Sequence, residues 1–126
     1  MKEVLIKSKI INMDAEKLEI ETIGTYKEND REIEYKEEEL LVNVKILKDS
    51  IILNRKNEEY DLNLEFKENC KFKCKYNIKS IGMNFDLIVY TEKLIIEQEK
   101  IFIKYELFDE EKSIGNFEYE LIYKEG

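Results

Sequence analysis

Apolar residues recur at every second position along most of this chain. Val4, Ile6 and Ile10 begin the pattern, with Ser8 in the same phase, and Leu18 and Ile20 continue it. Tyr60, Leu62, Leu64 and Phe66 repeat it, as do Phe72, Cys74, Tyr76 and Ile78. Ile101, Ile103, Tyr105 and Leu107, then Phe117, Tyr119 and Leu121, close it. A period of two sorts side chains onto opposite faces of an extended strand. The chain is therefore expected to be all-β, with many antiparallel strands around one core.

The chain has no proline and four glycines, so Asn, Asp, Lys and Glu clusters mark the turns. They fall at 12–16, 29–30, 48–50, 56–59, 68–69, 79–82 and 109–115. The segments between them predict strands at 3–11, 17–28, 31–38, 40–48, 50–55, 58–67, 71–78, 83–97, 100–108 and 115–124. The strand at 83–97 carries a potential break near Thr91. One stretch is ambiguous. Leu40, Leu41, Val44 and Leu47 fit a helical stripe, whereas Leu40, Val42, Val44 and Ile46 fit a strand; it is read as a short turn followed by a strand.

Two hairpins can be registered from charge and hydropathy. Lys9 opposite Glu19 sets Lys7 against Glu21 on one face, and Ile10 against Leu18 and Ser8 against Ile20 on the core face. Tyr105 opposite Phe117 sets Ile103 against Tyr119 and Lys104 against Glu118. An even number of strands lets a meander close on itself, which removes exposed edges. The expectation is a single antiparallel up-and-down β-barrel of 8–10 strands, one domain over residues 1–126.

Charge narrows the partners. The chain carries 29 acidic and 21 basic residues, net −8, with lysines interleaved among glutamates. No basic stripe offers the counterion release that nucleic-acid binding needs. No apolar run approaches the roughly 20 residues of a membrane span, and no secretory signal is read at the start. Cys70 and Cys74, on one strand, would lie roughly 13 Å apart at about 3.3 Å per residue, too far for a disulfide. Two free thiols point to a cytoplasmic address. With no histidine, a Cys/His metal site is impossible, and no metal or cofactor is expected.

With the strands placed, the chain resembles the YwiB-like family of small bacterial proteins. The resemblance rests on Ile33-Glu34-Tyr35-Lys36-Glu37-Glu38, on Ile51-Ile52-Leu53-Asn54-Arg55, on the stretch from Tyr76 to Thr91, and on Ile103-Lys104-Tyr105-Glu106-Leu107. It runs over nearly the whole chain. The sequence departs from the family pattern at Lys56-Asn57, where a small residue and Gly are expected. The resemblance implies a calycin-like (lipocalin or streptavidin type) barrel in the bacterial cytoplasm. It carries over no catalytic or binding residues.

Following the meander brings the ends of four strands to one mouth. Glu37, Arg55, Tyr60 and Tyr76 sit there on the inward phase, and together they form the candidate ligand-binding set. Arg55 could orient a carboxylate or another small polar group. The competing reading is an internal ion pair of Glu37 and Arg55 that plugs the barrel end. Seven of the eight tyrosines, all but Tyr90, lie on the apolar phase and either line a pocket or fill core volume. Met83, Phe85 and Leu87 are read as core. There is no phosphate loop and no histidine for acid–base work, and any pair of carboxylates is expected by chance, so no enzyme and no catalytic residues are expected. Two functions remain open: a barrel binding a small, partly apolar ligand, or a filled structural or regulatory barrel acting through its surface or as a homodimer. Ile23, Phe102 and Ile122 lie on the outward phase and could supply such a surface.

Overall fold

The computed structural model describes residues 1–13 and 16–125. The strands are β1 (Lys2–Asn12), β2 (Lys17–Lys27), β3 (Glu32–Glu37), β4 (Leu40–Ile46) and β5 (Ile51–Lys56), followed by β6 (Tyr60–Phe66), β7 (Lys71–Ile78), β8 (Met83–Glu97), β9 (Lys100–Asp109) and β10 (Lys112–Glu125). Each runs antiparallel to its chain neighbour, and β1 also pairs with β10. The result is a closed ten-strand antiparallel barrel, with no helix among the described residues. The expected turn at 12–16 includes residues 14 and 15, which lie outside the described residues.

The ambiguous segment resolves as strand β4. Its inward residues Leu40, Val42, Val44 and Ile46 are all buried, whereas Leu47 is 39% exposed. A helix would have needed Leu47 inside. Strand β8 is not broken at Thr91 but carries a bulge between Thr91 and Lys93, which accommodates a bend without ending the ladder. The turn at Lys56-Asn57 works without the glycine of the family pattern. The Asn57 side-chain oxygen accepts the N–H groups of Glu59 (2.8 Å) and Tyr60 (2.9 Å) and so caps the turn.

Both registers inferred from the sequence are observed, Lys9 against Glu19 in the first hairpin and Tyr105 against Phe117 in the last. Two core expectations need correction. Leu18 is 47% exposed and Met83 46% exposed. Leu18 lies where β2 has only one neighbour. The ladder between β2 and β3 consists of Thr25, Tyr26 and Lys27 against Glu34, Ile33 and Glu32, so the stretch of β2 before Gly24 pairs with β1 alone. Met83 opens β8 beside the turn at the barrel end, opposite Ile78.

The ladder between β6 and β7 is equally short, joining Tyr60, Asp61 and Leu62 to Ile78, Asn77 and Tyr76. These two seams divide the wall into a sheet of β3 to β6 and a longer sheet running from β7 through β10 and β1 to β2. Gly24 makes the first seam possible. A Cβ there would sit 2.5 Å from the Glu34 carbonyl oxygen and 3.0 Å from both Ile6 and Tyr35, so only glycine lets β2 cross β3 this closely. The interior is filled where the sheets face each other: Tyr119, Phe66, Ile51, Ile101 and Leu121 are at most 1% exposed.

Candidate functional site

The period-two pattern brings Glu37 and Arg55 together. Glu37 ends β3, and Arg55 stands near the end of β5, with Val42 and Leu62 beside it on the flanking strands. Arg55 Nη2 donates to Glu37 Oε1 at 3.4 Å and lies 3.3 Å from Oε2. Their side chains are 14% and 6% exposed. Burial works against the charge of Arg55. The Glu37 carboxylate, with Tyr35, Tyr60 and Tyr119 around it, outweighs that penalty and raises its pKa above the ordinary value. The guanidinium is therefore a permanent cation inside the wall.

Tyr60 and Tyr76 form the second half of the set. Their ring centroids are 5.7 Å apart and the planes meet edge-on at 85°, a favourable aromatic arrangement. Tyr76 in turn packs against Phe85 at 6.3 Å. Tyr60 lies within electrostatic reach of Arg55, whereas Tyr76 joins the cluster through the Tyr60 ring. Both rings are half-buried.

The sequence reading missed what lies behind this cluster. The Tyr35 hydroxyl donates to Ser8 Oγ at 3.0 Å and shares a 2.7 Å hydrogen bond with the Tyr119 hydroxyl. The contact crosses the lumen from β3 to β1 and β10. Its only trace in the sequence is Ser8, a hydroxyl standing in the apolar phase between Ile6 and Ile10. Burial pushes the Tyr35 pKa up, against the lowering effect of its two hydrogen bonds, and raises that of Tyr119 well above the ordinary phenol. Both stay neutral and can act as donors or acceptors.

Two buried atoms of the cluster have no hydrogen-bond partner among the described residues: Arg55 Nη1 and Glu37 Oε2. Buried guanidinium donors are normally paired, because leaving them unpaired costs desolvation without return. The seam between β2 and β3 stops one residue short of Tyr35, so the end of β3 that carries Glu37 has no ladder partner in β2. Five surface clefts measure about 40 to 420 Å³, and none of these is lined by Glu37, Arg55, Tyr60 or Tyr76. The largest lies at the opposite barrel end, around Tyr26 and Tyr123, whose rings are 5.4 Å apart.

Comparison with known proteins bears on the family and the fold. A family model described as a domain of unknown function, DUF1934, matches residues 4–121. The chain belongs to this family. Among solved structures it is similar to the ywiB protein from Bacillus subtilis, with a TM-score of 0.74 and 23% identity. The match covers 98% of this chain and 90% of that one, and at this identity it speaks for the shared barrel fold alone. No curated protein matches the chain. Both thiols, half-buried Cys70 and buried Cys74, are free. No helix among the described residues is long and apolar enough to cross a membrane.

Proposed function

We propose that this barrel binds a small, partly apolar ligand at its Arg55 end and is not an enzyme. The observation that carries the reading is the unpaired Arg55 Nη1, a buried cationic donor beside two half-buried tyrosine rings. A carboxylate or similar polar acceptor on the ligand would pair with that nitrogen. The rings of Tyr60 and Tyr76 would take the apolar part. Beside this set, the end of β3 has no ladder partner in β2. A cytoplasmic location is supported by the two free thiols, and the net charge of −8 argues against nucleic acid as partner.

A second reading draws on the packing. Tyr119 and Phe66 fill the interior almost without exposure, and the Tyr35 contact with Tyr119 ties β3 to β10 inside the lumen. This favours a filled barrel in which Glu37 and Arg55 serve as a plug. Native mass spectrometry of protein purified from its host separates the two. A non-covalent adduct on the wild type that disappears in Arg55→Ala, while Tyr26→Phe at the opposite end keeps it, supports ligand binding. No adduct on the wild type, or an adduct retained in a folded Arg55→Met variant, rejects that site.

A further inference from the structure

The outer wall carries an apolar stripe that runs across five adjacent strands. Ile23 on β2 stands opposite Leu5 on β1, and these two side chains are 59% and 54% exposed. Ile122 on β10 is the diagonal neighbour of Leu5, since Ile122 pairs with Lys7. Phe102 on β9 is the diagonal neighbour of Ile122, and Ile95 on β8 lies directly opposite Phe102. Direct and diagonal cross-strand neighbours are within reach of such side chains. The stripe is therefore continuous, with Ile122, Phe102 and Ile95 half-buried, whereas the exposed Leu47 and Ile81 stand outside it.

The charges beside the stripe are ordered. Two residues along each strand, one flank carries Lys7, Glu120 and Lys93, and the other carries Glu3, Lys124 and Glu97. On β1, β10 and β8 the two flanks thus have opposite signs. On β2 they are Glu21 and Thr25, and on β9 both are lysines, Lys104 and Lys100. A two-fold axis lying along the stripe would exchange the flanks between two copies. Lys7 would then meet Glu3 of the second copy, and Glu120 would meet Lys124. The outer wall of a barrel is convex, so β10, the third of the five strands, makes the closest approach, with β1 and β9 on either side of it. The matched pairs of β1, β10 and β8 outnumber the lysine pair of β9, whose side chains are 39% and 45% exposed and so screened by solvent.

Charge balance points the same way. The flanks hold five lysines against four glutamates, while the chain as a whole is −8. A second copy can approach this face without the repulsion that the rest of the surface would exert. The ion pairs that these residues make within the chain are long and exposed: Lys7 with Glu21 at 3.7 Å, Lys100 with Glu120 at 3.9 Å, and Lys104 with Glu92 at 3.7 Å. Such pairs hold their partners weakly and leave them free to exchange.

We propose that the chain forms a symmetric homodimer through this stripe, with Ile122 at its centre beside Leu5, and Lys7 of each copy against Glu3 of the other. An isologous interface of this kind repeats each contact twice. The proposal is independent of whether the lumen holds a ligand.

Sedimentation velocity on the full chain, over a concentration series reaching the high micromolar range, tests it. The wild type is expected to show a monomer–dimer equilibrium, and Leu5→Asp, at an exposed position, to be monomeric with an unchanged melting midpoint. Lys7→Glu should weaken dimerisation about tenfold, because two attractive pairs become repulsive. Adding Glu3→Lys to it should restore the wild-type constant to within about threefold. A wild type that stays monomeric throughout overturns the proposal, even if it associates with some other protein. So does a dimer insensitive to Leu5→Asp, or a charge swap that fails to recover association. If Leu5→Asp proves unfolded, Ile23→Asp on the neighbouring strand replaces it under the same criteria.

Discussion

Tyr35, Tyr105, Tyr119 and Tyr123 are all buried, and burial raises the pKa of each, in the case of Tyr105 to about 12. In the unfolded chain these phenols ionise near pH 10. Between these limits the folded state holds protons that the unfolded state has lost, so stability falls as pH rises. The contribution is fully present below about pH 10 and is lost as pH climbs through about 12. Cys74, raised to about 11 by burial, acts in the same direction. An alkaline titration should show phenolate absorbance of the buried tyrosines appearing only as the β-sheet circular dichroism collapses. Ionisation of all eight tyrosines near pH 10 with the sheet intact would contradict this. At this scale the alternation of the sequence was sufficient to bring Glu37, Arg55, Tyr60 and Tyr76 to one end, because phase and strand direction decide that. It could not reveal the contact of Tyr35 with Ser8 and Tyr119, which depends on which strands face each other across the lumen.

Strand β2 shows how one residue shapes an element. Gly24 lies where β2 leaves β3, and its missing side chain lets the Glu34 carbonyl approach. Gly24→Ala would force a Cβ to 2.5 Å from a backbone atom that cannot swing aside. It should destabilise the protein by about 2 kcal/mol, as overpacking does, measured by urea unfolding; an unchanged midpoint would mean that the seam is slack. Nearly all of the element structure was legible from the chain. Opposed charges located the first hairpin because Lys9 with Glu19 and Lys7 with Glu21 satisfy one face while Ser8 with Ile20 keeps the other inward. The error at Leu18 has a physical origin. Period two says which face a residue shares, but not whether another strand stands beside it to cover that face.

The barrel as a whole is two sheets joined at two short ladders, β2 with β3 and β6 with β7. Amide hydrogen exchange should follow that division. The amides of Leu18 to Ile23 and of Leu64 to Phe66 should exchange ahead of those in β9, which is fully paired on both sides. Uniform protection around the circumference would count against a wall hinged at its seams. The wall also closes through its two outermost strands, with Val4 opposite Glu125 and Asn12 opposite Phe117. During synthesis on the ribosome, β1 emerges before β10 and must wait for it, with eight strands in between, before its second edge is covered. A nascent chain of this kind cannot complete its cylinder piecemeal, and until β10 emerges it carries an open hydrogen-bonding edge that a chaperone, or a neighbouring nascent chain, can reach.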